Sequence, residues 1–172
     1  LAHTLPHSDP VHKVSIISRG RAGGYTLKLP SEDKHLRSRS EFESELAVLL
    51  GGYTAEKLIF EEITTGASND IKVATELARK MVTQFGMSDK LGPINYQHGE
   101  DQIFLGKDIG GDKIHSEETS FQIDREISSL ITKALKKAKD SLSKNIALLN
   151  KVAHVLIEKE TIEQEEFYAL VK

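Results

Sequence analysis

Thr64-Thr65-Gly66-Ala67-Ser68-Asn69-Asp70-Ile71 opens a segment that closes at Gly86. Small and hydroxyl-bearing residues lead into Ser68. Ile71, Ala74, Ala78, Met81, Val82 and Phe85 then follow at three- and four-residue spacing. That spacing puts them on one face of a helix. It predicts a helix starting near Ser68, with Gly86 at the position just past its end, where a left-handed residue closes the last turn. Asp70 falls in the first turn, where the helix dipole stabilises a carboxylate by about 0.3–1 kcal/mol. By residue alone Asp70 has two readings. It is an acid that helps the helix start, or a metal ligand held on a rigid element.

Just upstream, Ser40 with Glu43 fits a capping box, and Phe42, Leu46, Leu49, Leu50, Ala55, Leu58 and Ile59 supply an apolar face. The expectation is one helix running through Gly51-Gly52. Each glycine costs about 1 kcal/mol of helix propensity, which a helix accepts where a neighbouring backbone approaches closely. A break between two helices is the other reading. Glu56 is either a solvated acid or a carboxylate that orients a metal-bound histidine.

Further out, Val11, Val14, Ile16 and Ile17 form a β-branched run punctuated by Gly20, Gly23 and Gly24. Tyr25, Leu27 and Leu29 alternate with Thr26 and Lys28 before Pro30. This reads as a β-hairpin over residues 11–29. Residues 86–115 read as irregular, with Gly110-Gly111 and a short strand around Ile94–Tyr96. From Ser116 to about Ser141 a long helix is expected on the stripe Ile123, Ile127, Leu130, Ile131, Ala134, Ala138 and Leu142. Another uses Leu148, Leu149, Val152, Ala153 and Leu156. Thr161 with Gln164 is read as the cap of a last short helix ending near Phe167 and Leu170. The fold class is mainly α: one domain over 1–172, a helical bundle with a small N-terminal β-hairpin or sheet. Its parts are the hairpin (1–30), a helical region (38–86), an irregular region (87–115) and a C-terminal bundle (116–172).

A chain of 172 residues with 38% hydrophobic content buries roughly 70% of its unfolded surface and needs no covalent staples. It has no Cys, which excludes disulfides and thiolate metal sites and fits a reducing compartment. The net charge is −3 with both signs mixed along the chain, which argues against a nucleic-acid binder. No apolar run approaches the roughly 18 residues of a membrane span, and no signal peptide is visible. Any membrane attachment is expected from outside these residues. Leu1-Ala2-His3 reads like the tail of an element, so the polypeptide is expected to continue upstream. There is no P-loop, no G-x-S-x-G and no paired-Cys site. His3 and His7 stand four apart, but Thr4-Leu5-Pro6 between them holds no Glu, and Pro6 disfavours the helix that would align the rings. They are not expected to bind zinc. His12, His35, His98, His115 and His154 read as surface or loop residues.

Taken in order, these residues resemble the peptidase domain of FtsH-type ATP-dependent zinc metalloproteases. Asp9-Pro10-Val11-His12-Lys13-Val14-Ser15-Ile16 looks like the segment that follows the zinc helix in that family. The resemblance continues through Arg19-Gly20-Arg21-Ala22, Gly24-Tyr25-Thr26, Leu29-Pro30, Leu49-Leu50-Gly51-Gly52 and Ala55-Glu56. Thr64 to Asp70 is its most specific piece. Gly86-Met87-Ser88, Leu91-Gly92-Pro93 and Phe104-Leu105-Gly106 complete it.

The resemblance implies a mainly helical protease fold, zinc as cofactor, polypeptide substrates and hydrolysis of peptide bonds. It implies a partner AAA+ ATPase domain of the same polypeptide, to which ATP and magnesium belong. It also implies a homo-hexamer, with no nucleic-acid partner, and membrane association through segments outside this chain, at the bacterial inner membrane or an organelle equivalent. Residue by residue, Asp70 matches the family's third zinc ligand, and Glu56 matches a glutamate near the zinc. Gly23, Gly24, Tyr25 and Thr26 fall where the family has an edge strand beside the cleft. Three departures stand out. The H-E-x-x-H motif, with two ligands and the general base Glu, is not in this chain and is expected upstream of Leu1, so the chain alone is expected to be inactive. Gly23 stands where a larger apolar residue is common. Tyr53-Thr54 replaces the usual Arg-Ala. A non-catalytic helical assembly module that kept the scaffold is the alternative.

Overall fold

The computed structural model describes residues 1–18, 23–29, 36–96 and 115–172. Arg19-Gly20-Arg21-Ala22, Pro30, His35, His98, Phe104-Leu105-Gly106 and Gly110-Gly111 lie outside them. The elements are β1 (Val11–Ser15), β2 (Tyr25–Lys28), α1 (Arg39–Leu49), α2 (Gly51–Ile59), a 3-10 turn (Thr65–Ala67), α3 (Ser68–Thr83), α4 (Glu117–Lys144), α5 (Ile146–Lys159), β3 (Thr161–Glu163) and α6 (Gln164–Leu170).

The apolar stripe of α4 organises the main core. Twenty-eight residues give a rod about 42 Å long at 1.5 Å per residue. Ile123, Ile127, Leu130, Ala134 and Ala138 are buried along it. Helices α1, α2 and α3 all pack on this rod, and α1 also packs on α3. Ala47, Ala74, Ala78 and Ala138 are fully buried, and side chains this small let helix axes come close. Leu46 and Met81 fill the space between them, both with no exposed surface. The buried Ser44 hydroxyl accepts from Lys137 Nζ at 3.0 Å, which satisfies a polar group that burial would otherwise leave costly.

A smaller core joins the sheet to the last helices, through Val11, Leu156, Ile162 and Phe167. The sheet has three antiparallel strands in the order β2-β1-β3, with Val14 opposite Thr26 on one side and Ile162 on the other. The N-terminal turn ties the two cores together: Leu1 and Leu5 pack on the first and Ala2 on the second.

Several expectations are corrected. Residues 39–59 form two helices, not one, with Leu50 ending α1 and starting α2. The close approach at Gly51 comes from a side chain: a Cβ there would lie 2.7 Å from Leu1 Cδ1, while Gly52 has nothing within 4 Å. The capping box is Ser38 with Glu41, two residues earlier than Ser40 with Glu43. Thr161 does not cap a helix. It belongs to β3, because its hydroxyl meets that of Ser15 at 2.9 Å and Ile162 pairs with Val14. Ile94–Tyr96 is not a strand; Tyr96 N–H reaches back to Thr83 C=O at 2.8 Å instead. Leu27 and Leu29 are exposed, so the expected apolar face of β2 is not covered among the described residues.

The segment after α3 is held by polar contacts. Gly86 has φ 61°, and a Cβ there would lie 2.8 Å from Pro93 Cα, so both conformation and space select glycine. Ser88 Oγ–H donates to Glu126 at 2.9 Å, and Lys90 pairs with the same carboxylate at 2.8 Å. Lys90 foremost, with Ser88, holds the Glu126 carboxyl below the usual range.

Candidate metal centre

Asp70 reaches its place through a loop with its own clamp. Helix α2 ends at Phe60, and Glu61 then turns left-handed at φ 55°. The chain crosses to the 3-10 turn and enters α3 at Ser68. Ala67 is the loop's buried foot. From α2, Glu56 accepts the Thr64 backbone N–H on Oε2 at 3.1 Å and the Thr64 hydroxyl on Oε1 at 2.8 Å. Thr64 Oγ1 accepts in turn from Gly66 N–H at 3.1 Å. A Cβ on Gly66 would stand 3.2 Å from both Glu56 Oε1 and Thr64 Oγ1, so glycine lets this bonded triangle close. Charged acceptors make the stronger class of hydrogen bond. Glu56 therefore fixes the loop relative to α2.

Asp70 is exposed in the first turn of α3. Its carboxylate has no hydrogen bond or ion pair with another described residue. It is the position the sequence singled out, and it is free to take a cation. Glu56, read from sequence as either a solvated acid or a carboxylate that orients a metal-bound histidine, here accepts from Thr64 on both oxygens. The Glu56–Thr64–Gly66 clamp escaped the sequence reading because its members come from two elements, eight and ten residues apart.

Replacing Glu56 by alanine is expected to leave the fold intact and loosen this loop. Amide exchange at Thr64 and Gly66 should quicken by roughly fivefold or more, as loss of about 1 kcal/mol of hydrogen bonding implies. Amides of α4 should hardly change. Unchanged exchange at Thr64 would remove Glu56 from this role.

The histidines do not form a second pole. His7 sits in a turn at φ 61°. His3 packs edge-on against Phe167 and Tyr168, with centroids 6.0 and 5.8 Å away. His115 meets Tyr96 edge-on at 6.0 Å. Among the described residues no three His, Asp or Glu side chains converge as a metal site. These residues alone therefore do not fit a zinc ion.

Strand β2 is one of the two outer strands of the sheet, paired through Tyr25–Ser15 and Thr26–Val14. Gly24 makes this pairing possible, since a Cβ there would lie 2.6 Å from Ser15 C=O. Gly23 has open space around it, so its lack of a side chain leaves no packing gap. The Leu1 side chain covers Gly51 at the start of α2. The N-terminal turn thus lies against the start of the helix that bears Glu56.

Residues 1–170 match the model of Peptidase family M41. An ATP-dependent zinc metalloprotease FtsH from Caldicellulosiruptor bescii is 53% identical over 167 residues, covering 97% of this chain and 27% of that protein. One from Endomicrobium trichonymphae is 49% identical over 172 residues, covering 100% of this chain and 27% of its own length. An ATP-dependent zinc metalloprotease FtsH 1 from a Thermoanaerobacter species is 51% identical over 167 residues, again 97% and 27% of the two lengths. The chain thus spans about a quarter of the length of these relatives. No helix among the described residues is long and apolar enough to cross a membrane.

Proposed function

The chain belongs to peptidase family M41, and we propose that it is the peptide-cutting part of an ATP-dependent zinc metalloendopeptidase in which Asp70 supplies one ligand to the zinc. The observation that carries this reading is an exposed, unpaired carboxylate in the first turn of α3, behind a loop clamped by Glu56. In this reading two histidine ligands and the general base Glu come from a His-Glu-x-x-His segment before Leu1. The position of Leu1, with its side chain over Gly51 at the start of α2, suits a segment arriving beside the helix that bears Glu56.

The chain's own residues have three tasks. Asp70 brings a negative ligand. Glu56 and Thr64 hold the loop that carries it. The outer edge of β2, at Gly23, Gly24, Tyr25 and Thr26, receives substrate as an added strand. Such pairing uses backbone hydrogen bonds and tolerates varied sequences, as a protease acting on many unfolded chains requires. The wider machine belongs to the same proposal: an AAA+ module that unfolds and threads membrane or misfolded proteins, membrane anchoring outside these residues, and a hexamer to which the helices after Ser116 contribute contacts.

Casein, already unfolded, separates cutting from threading. Residues 1–172 alone are expected to show no casein cleavage. A polypeptide extended upstream through His-Glu-x-x-His is expected to cleave it, to stop with a chelator, and to recover with zinc. Chelator-sensitive cleavage by the short chain, or none by the extended one, would overturn the proposal.

A further inference from the structure

A groove of about 490 Å³ runs between the N-terminal turn and the C-terminal half of α4. Lys133, Lys136, Lys137 and Lys144 line it, against a single acid, Asp140. Thr4, Ser141 and Asn145 add hydroxyl and amide groups, and the Thr4 and Ser141 hydroxyls meet at 2.8 Å. The chain as a whole carries a net charge of −3, so this groove reverses the sign of its surroundings.

The ordinary explanation for lysines on a helix is a solvated, ion-paired face. It accounts for cations elsewhere in this molecule: Lys13 pairs with Glu163, Arg39 with Glu43 and Asp89, and Lys159 with Glu166. It accounts for the groove only in part. Lys136 and Lys144 have no acid within 4 Å among the described residues. Lys137 donates to the neutral Ser44. Lys133 and Lys137 stand at i,i+4, where like charges destabilise a helix, although Asp140 has that spacing to both Lys136 and Lys144 and Lys133 also feels Asp89 and Glu126. Lys144, in the last turn of α4, is where the helix dipole favours a cation. The other three lie roughly two to three turns earlier, beyond the reach of that effect.

We propose that this groove binds a small multiply charged phosphate anion, drawn by the excess of lysine over acid along its walls. Ammonium groups bind phosphate as compact point charges, and four lysines line this groove against one acid. The site is separate from the Asp70 loop and does not depend on a metal.

Calorimetric titration of the chain with sodium tripolyphosphate at low salt tests this. Saturable binding is expected, weakening as salt rises. Lys136→Gln with Lys144→Gln should weaken it roughly tenfold or more, as loss of two close charges implies. Lys72→Gln with Lys139→Gln, an equal charge change outside the groove, should leave it unchanged. Backbone amide shifts should concentrate at Thr4, Ser141 and Asn145. Absence of saturable binding, equal weakening by the control pair, shifts centred elsewhere, or binding of polyglutamate but not tripolyphosphate would each overturn the assignment.

Discussion

Leu46→Ala is expected to lower the unfolding free energy by about 2–5 kcal/mol, the usual range for a buried leucine cut to a methyl group. Leu46 has no exposed surface and sits among α1, α3 and α4. Its neighbours include Ala47, Ala74 and Ala78, which have no side-chain length to swing into the void. The cavity term should therefore be felt nearly in full. Against a domain stability of about 5–15 kcal/mol, this is a large share. Ile157→Ala is the contrast: Ile157 is 72% exposed on α5, and its loss should fall within about 0.5 kcal/mol. Urea unfolding of the two variants beside the parent checks this. Equal midpoints for both would mean that α1 does not pack on α3 as described.

Asp70→Ala should have the opposite profile, large for activity and small for stability. Asp70 is exposed, and its carboxylate makes no hydrogen bond or ion pair among the described residues whose loss would loosen α3. Removing it forfeits only its interaction with the helix dipole, about 0.3–1 kcal/mol. In a polypeptide that includes the upstream His-Glu-x-x-His segment, casein cleavage should fall by more than about 100-fold. Loss of outer hydrogen-bond partners of a metal ligand alone typically costs 10–100-fold, and the proposed role of Asp70 is that of a direct ligand. Glu76→Ala, which removes an exposed acid on the same helix, should leave cleavage near the parent rate. Parallel losses in both variants would point to a general effect of charge on α3 and away from a ligand.

Much of this molecule can be read from periodicity. The stripes on α3 and α4 lie at Ala74, Ala78, Met81 and Val82 and at Ile123, Ile127, Leu130, Ala134 and Ala138, where three-four spacing puts them. What escaped the reading depends on contacts between distant segments. The break at Leu50 goes with Leu1, some fifty residues away, filling the space above Gly51. Strand β3 has only three residues, and its identity comes from Val14 and Ser15 across the sheet. Ser38-x-x-Glu41 and Ser40-x-x-Glu43 satisfy the same local pattern, and the geometry of the chain entering α1 selects the first. The candidate site divides in the same way. The place of Asp70 is local and visible in sequence. The hold of Glu56 on Thr64 joins two elements and emerges only with the fold.

The most direct test is the zinc content of the extended polypeptide after dialysis, measured for the parent and for Asp70→Ala. With two histidines and one aspartate as protein ligands, about one zinc per chain is expected in the parent, and little or none once Asp70 is gone. Equal zinc in both would contradict the account, because the metal would then be held without Asp70.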